Sequence, residues 1–107
     1  LCRAYARERM TNWNCLRVGR QWGRNYEIDI AGVDEDNHFT LFGECKWSNK
    51  PVGESVRAEL QNKVEMQKLP VSRSPYWLLF SKSGFSHDLK NRAATDERLV
   101  LVESILG

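Results

Sequence analysis

The sequence predicts an α/β domain whose elements follow the order helix, three strands, helix, strand, helix, strand. Apolar residues recur at helical spacing in residues 1–10 and 53–69, and they alternate with polar residues through much of 15–47. A nearly continuous apolar run at 76–81 is typical of a strand buried on both faces. With 107 residues, of which 41% are hydrophobic and 28% charged, the chain fits one domain with a modest core.

The predicted domain spans residues 1–107. Because the chain begins at Leu1 rather than Met, we expect it to be a piece of a longer protein. No apolar run approaches the roughly 18 residues of a membrane span, and no segment resembles a signal peptide. We therefore expect a soluble, cytoplasmic domain with no membrane partner.

The first half of the chain is predicted to form a helix and two strands. The helix covers residues 1–10 and ends near Thr11. Residues 15–22 alternate apolar and basic side chains, as a half-buried strand does. A break at 23–25 separates this strand from the next, which is predicted at 27–33.

The remaining elements follow from turns and from helical spacing. An acidic turn leads into a return strand at 38–47, because Asp and Asn tolerate the backbone conformations of tight turns. The helix at 53–69 repeats an apolar residue every four positions, with Glu59 and Lys63 as an i,i+4 pair beside that stripe. The buried strand at 76–81 should be central in the sheet. A short helix near 86–96 and a last strand at 99–102 complete the order.

The hairpin formed by the second and third strands gathers charged residues. A turn centred on residues 36–37 sets Asp29 opposite Glu44 and, by the same register, Glu27 opposite Lys46. Since side chains alternate across a strand, these four residues are predicted to share one ionic face. The opposite, apolar face is predicted to carry Ile28, Ile30, Leu41, Cys45 and Trp47.

Two facing carboxylates at 29 and 44 need a compensating charge. Like charges directly opposite in an antiparallel pair destabilise it by up to about 1 kcal/mol. A divalent cation bound by Asp29 and Glu44 supplies that charge, and the backbone carbonyl of Cys45 offers a further hard oxygen ligand. Lys46 would then lie near an attacking water or the developing phosphate charge. Glu8, in the first helix, is a candidate fourth member of the site.

The sequence leaves simpler interpretations of the same residues open. The charged hairpin face is equally typical of solvent-exposed side chains that merely pair with one another. Glu8 can pair with a neighbouring arginine at the surface. Glu27 can neutralise Lys46 across the hairpin, which would weaken a catalytic role for that lysine.

The order of these residues resembles that of the PD-(D/E)XK nuclease superfamily. The shared features are an acid in the first helix, then Asp29, then Glu44-x-Lys46 on a hairpin, then a helix and a buried strand. The superfamily's proline before its Asp is absent, and Ile28 occupies that place. The resemblance implies a restriction-endonuclease-like fold with an αβββαβ core, in which a mixed sheet is flanked by helices.

Longer strings resemble the C-terminal domain of predicted archaeal and bacterial ATPases. They are Val18-Gly19-Arg20-Gln21-Trp22-Gly23, Glu27-Ile28-Asp29-Ile30, Gly43-Glu44-Cys45-Lys46-Trp47 and Phe80-Ser81-Lys82-Ser83-Gly84-Phe85. This resemblance implies a parent chain with an N-terminal AAA-type ATPase domain and a winged-helix segment.

Together the resemblances imply a magnesium- or manganese-dependent DNA endonuclease domain. Asp29 and Glu44 match the metal-binding carboxylates, Lys46 the catalytic lysine and Glu8 the first-helix acid. The alternative is a catalytically inactive nuclease fold that serves the ATPase in DNA binding, docking or oligomerisation. A homodimer is plausible for either, because a single small nuclease domain often needs a second copy to cut both strands.

The charge distribution favours a nucleic-acid partner. The net charge is only +2, but the first 24 residues contain six arginines against one acid, Glu8. Such a basic segment suits the DNA backbone, and Arg7, Arg17, Arg20 and Arg24 are the predicted phosphate contacts. The alternative is a solvated helix face with arginines along a strand edge.

The tryptophans and cysteines carry less specific signals. Trp22 and Trp47 can stack on bases, but a tryptophan at a strand end is more often a core or rim anchor. Three cysteines without CxxC spacing argue against a disulfide framework or a zinc knuckle, so we expect reduced cysteines. The sequence contains no Walker A motif and no G-x-G-x-x-G motif.

Overall fold

The chain forms a five-stranded mixed sheet with helices on both faces, which confirms the predicted fold class. The structure is a computed structural model that describes residues 2–103. The elements are α1 (Cys2–Glu8), a 3₁₀ helix (Met10–Trp13), β1 (Arg17–Gly23), β2 (Tyr26–Val33), β3 (Phe39–Lys46), α2 (Glu54–Met66), β4 (Val71–Ser81), α3 (His87–Ala94) and β5 (Leu99–Glu103). None of the helices within residues 2–103 has the length and hydrophobicity that a bilayer crossing requires.

The sheet combines an antiparallel meander with two parallel crossovers. The strand order is β1-β2-β3-β4-β5. The first three strands are antiparallel neighbours, which short turns can join, whereas β3, β4 and β5 run parallel. Parallel neighbours need a long connection, and α2 and α3 supply it. β4 is interior, between β3 and β5, as its apolar run predicts.

Two apolar clusters fill the two faces of the sheet. The α2/α3 face contains Ile28, Ala31, Phe42, Val52, Leu60, Val64, Leu79, Phe85, Leu89 and Leu99. The α1 face contains Cys2, Ala6, Trp13, Ile30, Leu41, Leu78 and Phe80. Leu78, Leu79 and Phe80 of β4 enter the two clusters alternately and are almost fully buried, so this part of the strand is buried on both faces.

A β-bulge interrupts β2 at Asp29 and Ile30. Gly19 of β1 pairs with Ala31, but Gln21 pairs with Ile28, so two residues of β2 lie opposite Arg20 alone. A bulge shifts the alternation of side chains by one position. The prediction that Ile28 and Ile30 share a face is therefore wrong: Ile28 packs on the α2/α3 face and Ile30 on the α1 face.

β4 begins earlier than its apolar run indicates. Phe39 of β3 pairs with Val71, and Leu41 pairs with Tyr76, so the segment before Tyr76 bulges out of the ladder. Pro75 lies in this irregular segment, where its missing N–H removes no regular ladder hydrogen bond.

The expectation of three reduced cysteines is wrong for one pair. Cys2 of α1 and Cys45 of β3 form a disulfide, with their Cα atoms 6.7 Å apart. Cys15 is free. The pair joins residues 43 positions apart in sequence, a contact that depends on how α1 packs on the sheet and that cysteine spacing does not reveal.

Candidate active site

Asp29 lies where the regular β2–β3 ladder ends. The last regular pair of that ladder is Ile30 with Gly43. Beyond it, Asp29 takes the place of a backbone partner: its Oδ2 accepts a hydrogen bond of 3.0 Å from the backbone N of Cys45. The bulge at this position aims the carboxylate toward β3, a recurrent use of bulges beside functional sites.

Glu44 is the second carboxylate of the site, and only 14% of its side chain is exposed. Burial raises the pKa of Glu44, and a hydrogen bond to the Asp29 carboxylate together with the negative charge of that group raises it further, to about 7. Burial and the neighbouring carboxylate therefore both favour the neutral form of Glu44. The two acids predicted to face each other across the hairpin do meet.

Two lysines act against the rise in the pKa of Glu44. Lys63 of α2 lies with its Nζ 3.6 Å from Oε2 of Glu44, and the same Nζ donates to the backbone oxygen of Glu27 at 2.9 Å. The ammonium charges of Lys63 and Lys46 both act to lower the pKa of Glu44. The sequence pairs Lys63 with Glu59, whereas the structure directs it into the site.

The predicted single ionic face is wrong, because the bulge in β2 separates Glu27 and Asp29 from the face on which Glu44 lies. Glu44 contacts Lys63 on the α2/α3 face. Glu27 and Asp29 line a cavity of about 370 Å³ together with Cys2 of α1. Asp29 alone both lines the cavity and bonds to Glu44.

Glu27 does not neutralise Lys46. Its carboxylate forms an ion pair with Arg20 of β1, with Nη1 and Oε1 3.3 Å apart. Trp47, predicted on the apolar face, lines the same cavity and is 44% exposed. It belongs to the rim of the site, since it follows the last residue of β3 and lies outside the sheet.

Of the predicted phosphate contacts, Arg20 is the one at the cavity. It lies in the wall next to Arg3 of α1. Its guanidinium carbon is 5.1 Å from the centre of the Trp22 ring, within the range of a cation–π contact. Arg3 was counted in the basic segment but carried no separate sequence signal.

The other predicted arginines lie elsewhere. Arg7 Nε donates to the backbone oxygen of Val18 at 3.3 Å. Arg17 contacts the side chain of Asn37 in the hairpin turn. Arg24 is exposed in the turn between β1 and β2.

Glu8 is not brought to the carboxylate pair. It ends α1, its side chain is 75% exposed, and it lies 3.5 Å from Arg9. Cys2 and Arg3, which line the cavity, are at the other end of the same helix, about 9 Å away by helical rise.

The donor set fits a hard divalent cation. The Asp29 carboxylate, bonded to the backbone N of Cys45, lies next to Glu44 at the end of the ladder, and carboxylates are the ligands that Mg²⁺ and Mn²⁺ prefer. A bound cation would oppose both the burial and the Asp29 charge that raise the pKa of Glu44. The backbone carbonyl of Cys45 remains a predicted third ligand.

The mixed sheet and its flanking helices form a nuclease-like fold of the restriction-endonuclease kind. Residues 1–69 match a family described as archaea bacterial proteins of unknown function, and the chain belongs to that family. No curated protein matches the sequence.

A solved structure has the same fold. It is the crystal structure of a repair endonuclease from Pyrococcus abyssi, which superposes with a TM-score of 0.53 at 16% sequence identity. The match covers 78% of this chain and 34% of that chain. This protein therefore spans about a third of the length of that endonuclease.

Proposed function

We propose that this protein is a magnesium- or manganese-dependent DNA endonuclease domain that hydrolyses phosphodiester bonds. The contact between Asp29 and Glu44 carries the proposal. Two carboxyl groups held together at the cost of a raised pKa are typical of a cation site. The fold shared with a repair endonuclease supports the reaction class.

Each residue of the site has a distinct part in the proposed hydrolysis. Asp29 and Glu44 would hold the ion, which when bound supplies Lewis-acid stabilisation of negative charge on the phosphate. Lys46 orients the attacking water or stabilises the charge that develops as water adds to phosphorus. As it adds, the water gives up a proton to solvent, the bond from phosphorus to the leaving oxygen breaks, and that oxygen takes up a proton from solvent. Arg3 and Arg20 hold the adjacent phosphates.

The test is cleavage of labelled single-stranded, nicked and branched DNA with Mg²⁺ or Mn²⁺. We expect Asp29→Ala to remove cleavage and Lys46→Ala to slow it by at least about a hundredfold. Glu65→Ala and Lys50→Ala are the matched controls, because both residues are exposed and lie outside the cavity lining. Cleavage that survives Asp29→Ala, or that falls equally in the controls, contradicts the proposal.

A second candidate function is a nuclease fold that binds or docks without cleaving. The observation that favours it is Lys63, whose ammonium already lies 3.6 Å from Glu44. An internal ammonium supplies part of the positive charge that an ion would otherwise bring. In that case Asp29, Glu44 and Lys63 form a permanent structural network.

Thermal unfolding with and without Mn²⁺ separates the two candidates. A metal-binding site predicts that millimolar Mn²⁺ raises the melting temperature of the wild type and not that of Asp29→Ala. A structural network predicts no effect on the wild type and a gain of metal binding in Lys63→Met, where the internal cation is gone.

We also propose that the domain is attached to an N-terminal ATPase in a longer parent chain and works in the cytoplasm. The sequence strings shared with the ATPase C-terminal domains support this arrangement.

Size-exclusion chromatography of the parent chain, with and without ATP, tests whether a homodimer brings two sites together for the two DNA strands.

A further inference from the structure

Two large tryptophan side chains are exposed beside the carboxylate cavity. Trp22 is 63% exposed and Trp47 is 44% exposed. The sequence favoured core or rim anchors, but the buried clusters contain neither residue. Exposed indoles beside a cavity call for an explanation, because large apolar side chains gain free energy from contact with a partner.

Both indoles lie on the side of the sheet that carries the cavity. Trp47 lines it directly. Trp22 is the cross-strand partner of Glu27, which also lines it. Directly paired residues project from the same face of a sheet, so Trp22 emerges on the cavity side. The two indoles thus share one side of the sheet, Trp22 on β1 and Trp47 just after the end of β3.

Two guanidinium groups accompany the rings at this cavity. Arg20 contacts both Glu27 and the ring of Trp22, and its side chain is half-exposed. Arg3 adds a second guanidinium to the cavity wall. Alternating aromatic faces and cations are the features with which proteins bind a single strand, since rings stack on bases while cations hold phosphates.

The same features argue against a second protein molecule as the occupant. The centre of a stable protein interface is depleted of charged residues. Here three charged residues, Arg20, Glu27 and Arg3, line the cavity together with Trp47. An uninterrupted duplex is also a poor fit, because its base faces are already stacked inside the helix.

We propose that Trp22 and Trp47 stack on unpaired bases, so that the ligand of this surface is a single-stranded nucleic acid or the single-stranded arm of a junction. The inference rests on the proposed function, since it names the substrate class of that site. Arg3 and Arg20 would direct the phosphates of the stacked strand past Asp29.

Binding of a labelled 15-residue oligo-dT in the presence of EDTA tests this proposal without requiring cleavage. We expect Trp22→Ala and Trp47→Ala each to weaken binding by about fivefold to a hundredfold, the range of stacking on one aromatic ring. Trp22→Phe keeps an aromatic face and should retain most of the affinity. Met66→Ala is the control, since Met66 is also highly exposed but lies on α2.

The outcomes for the inference and for the nuclease are distinguishable. Tryptophan-dependent binding of oligo-dT supports the inference even if no DNA is cut with Mg²⁺, in which case only the nuclease fails. Cleavage of blunt duplex that both alanine variants retain supports the nuclease and overturns the inference. Unchanged oligo-dT affinity in both variants overturns it as well. The inference is also overturned if the alanine variants lose self-association in sedimentation but keep their oligo-dT affinity. The tryptophans would then contact a second copy of the chain.

Discussion

Glu44 determines how the site responds to pH. Its pKa is raised to about 7 in the folded protein, first by burial and then by Asp29. Between the ordinary value of 4.5 and 7, the folded state binds more protons than the unfolded state. The free energy of unfolding therefore falls as pH rises through this window, by up to about 3 kcal/mol for this group.

Glu44→Gln should remove this pH-dependent loss of unfolding free energy. The amide keeps the shape of the side chain and has no charge to bury, so the metal-free variant should be more stable than the wild type at pH 8 and nearly equal to it at pH 4.5. Urea unfolding in EDTA at several pH values measures the difference, with the exposed Glu65→Gln as control. A constant difference between the wild type and Glu44→Gln across this range would contradict the origin assigned to the pKa.

The carboxylates of the site could be predicted from sequence, but their full surroundings could not. Hairpin spacing brought Asp29 and Glu44 together because register is a local property of two strands and a turn. Lys63 had a sufficient local partner in Glu59, so nothing in the helix indicated a contact across to β3. Only the packing of α2 on the sheet produces that contact.

At the scale of elements, Gly43 of β3 determines how closely the neighbouring strands pack beside the site. It directly precedes Glu44. A Cβ on Gly43 would lie 3.0 Å from the backbone oxygen of Leu78 and 3.0 Å from Cβ of Ile30. These contacts come from the strands on either side of β3, so neither can move without disturbing the sheet. The glycine therefore allows β2, β3 and β4 to pack closely beside the carboxylates.

Gly43→Ala should lower the free energy of unfolding by about 1–3 kcal/mol, the usual cost of overpacking a core. Gly19→Ala is a matched control in the same sheet, because a Cβ there meets nothing within 4 Å. We expect it to be neutral or slightly stabilising. Chemical denaturation of both variants measures the contrast, and an equal effect of the two substitutions would show that the close approach at Gly43 does not matter.

The order of elements was predictable because each depends on periodicity within its own segment. The bulge at Asp29 could not be predicted, because polar and apolar residues alternate regularly from Glu27 to Ile30. No glycine or proline marks the extra residue. The early start of β4 was missed for a related reason. Residues 72–74, between Val71 and Pro75, are polar, and the pairing of Val71 with β3 rather than local composition extends the strand to this segment.

At the scale of the whole molecule, the basic N-terminal segment is divided by the fold. From the sequence, Arg17 and Arg20 are equally good candidates for phosphate contacts, since they lie three positions apart on one strand. The structure directs Arg20 to the cavity and Arg17 to the hairpin turn at Asn37. A steering field would arise from all the arginines together, whereas direct phosphate contacts would come from those at the cavity.

The salt dependence of single-strand binding distinguishes these contributions. Each phosphate contact adds about 0.7 to the slope of log affinity against log salt concentration for a single strand. Arg20→Gln should therefore reduce that slope by about 0.7 and weaken oligo-dT binding. Arg17→Gln removes the same formal charge away from the cavity and should leave the slope nearly unchanged. Titrations at 50–200 mM salt measure both slopes. Equal reductions would mean that binding responds to net charge, and the cavity would then have no special part in holding the strand.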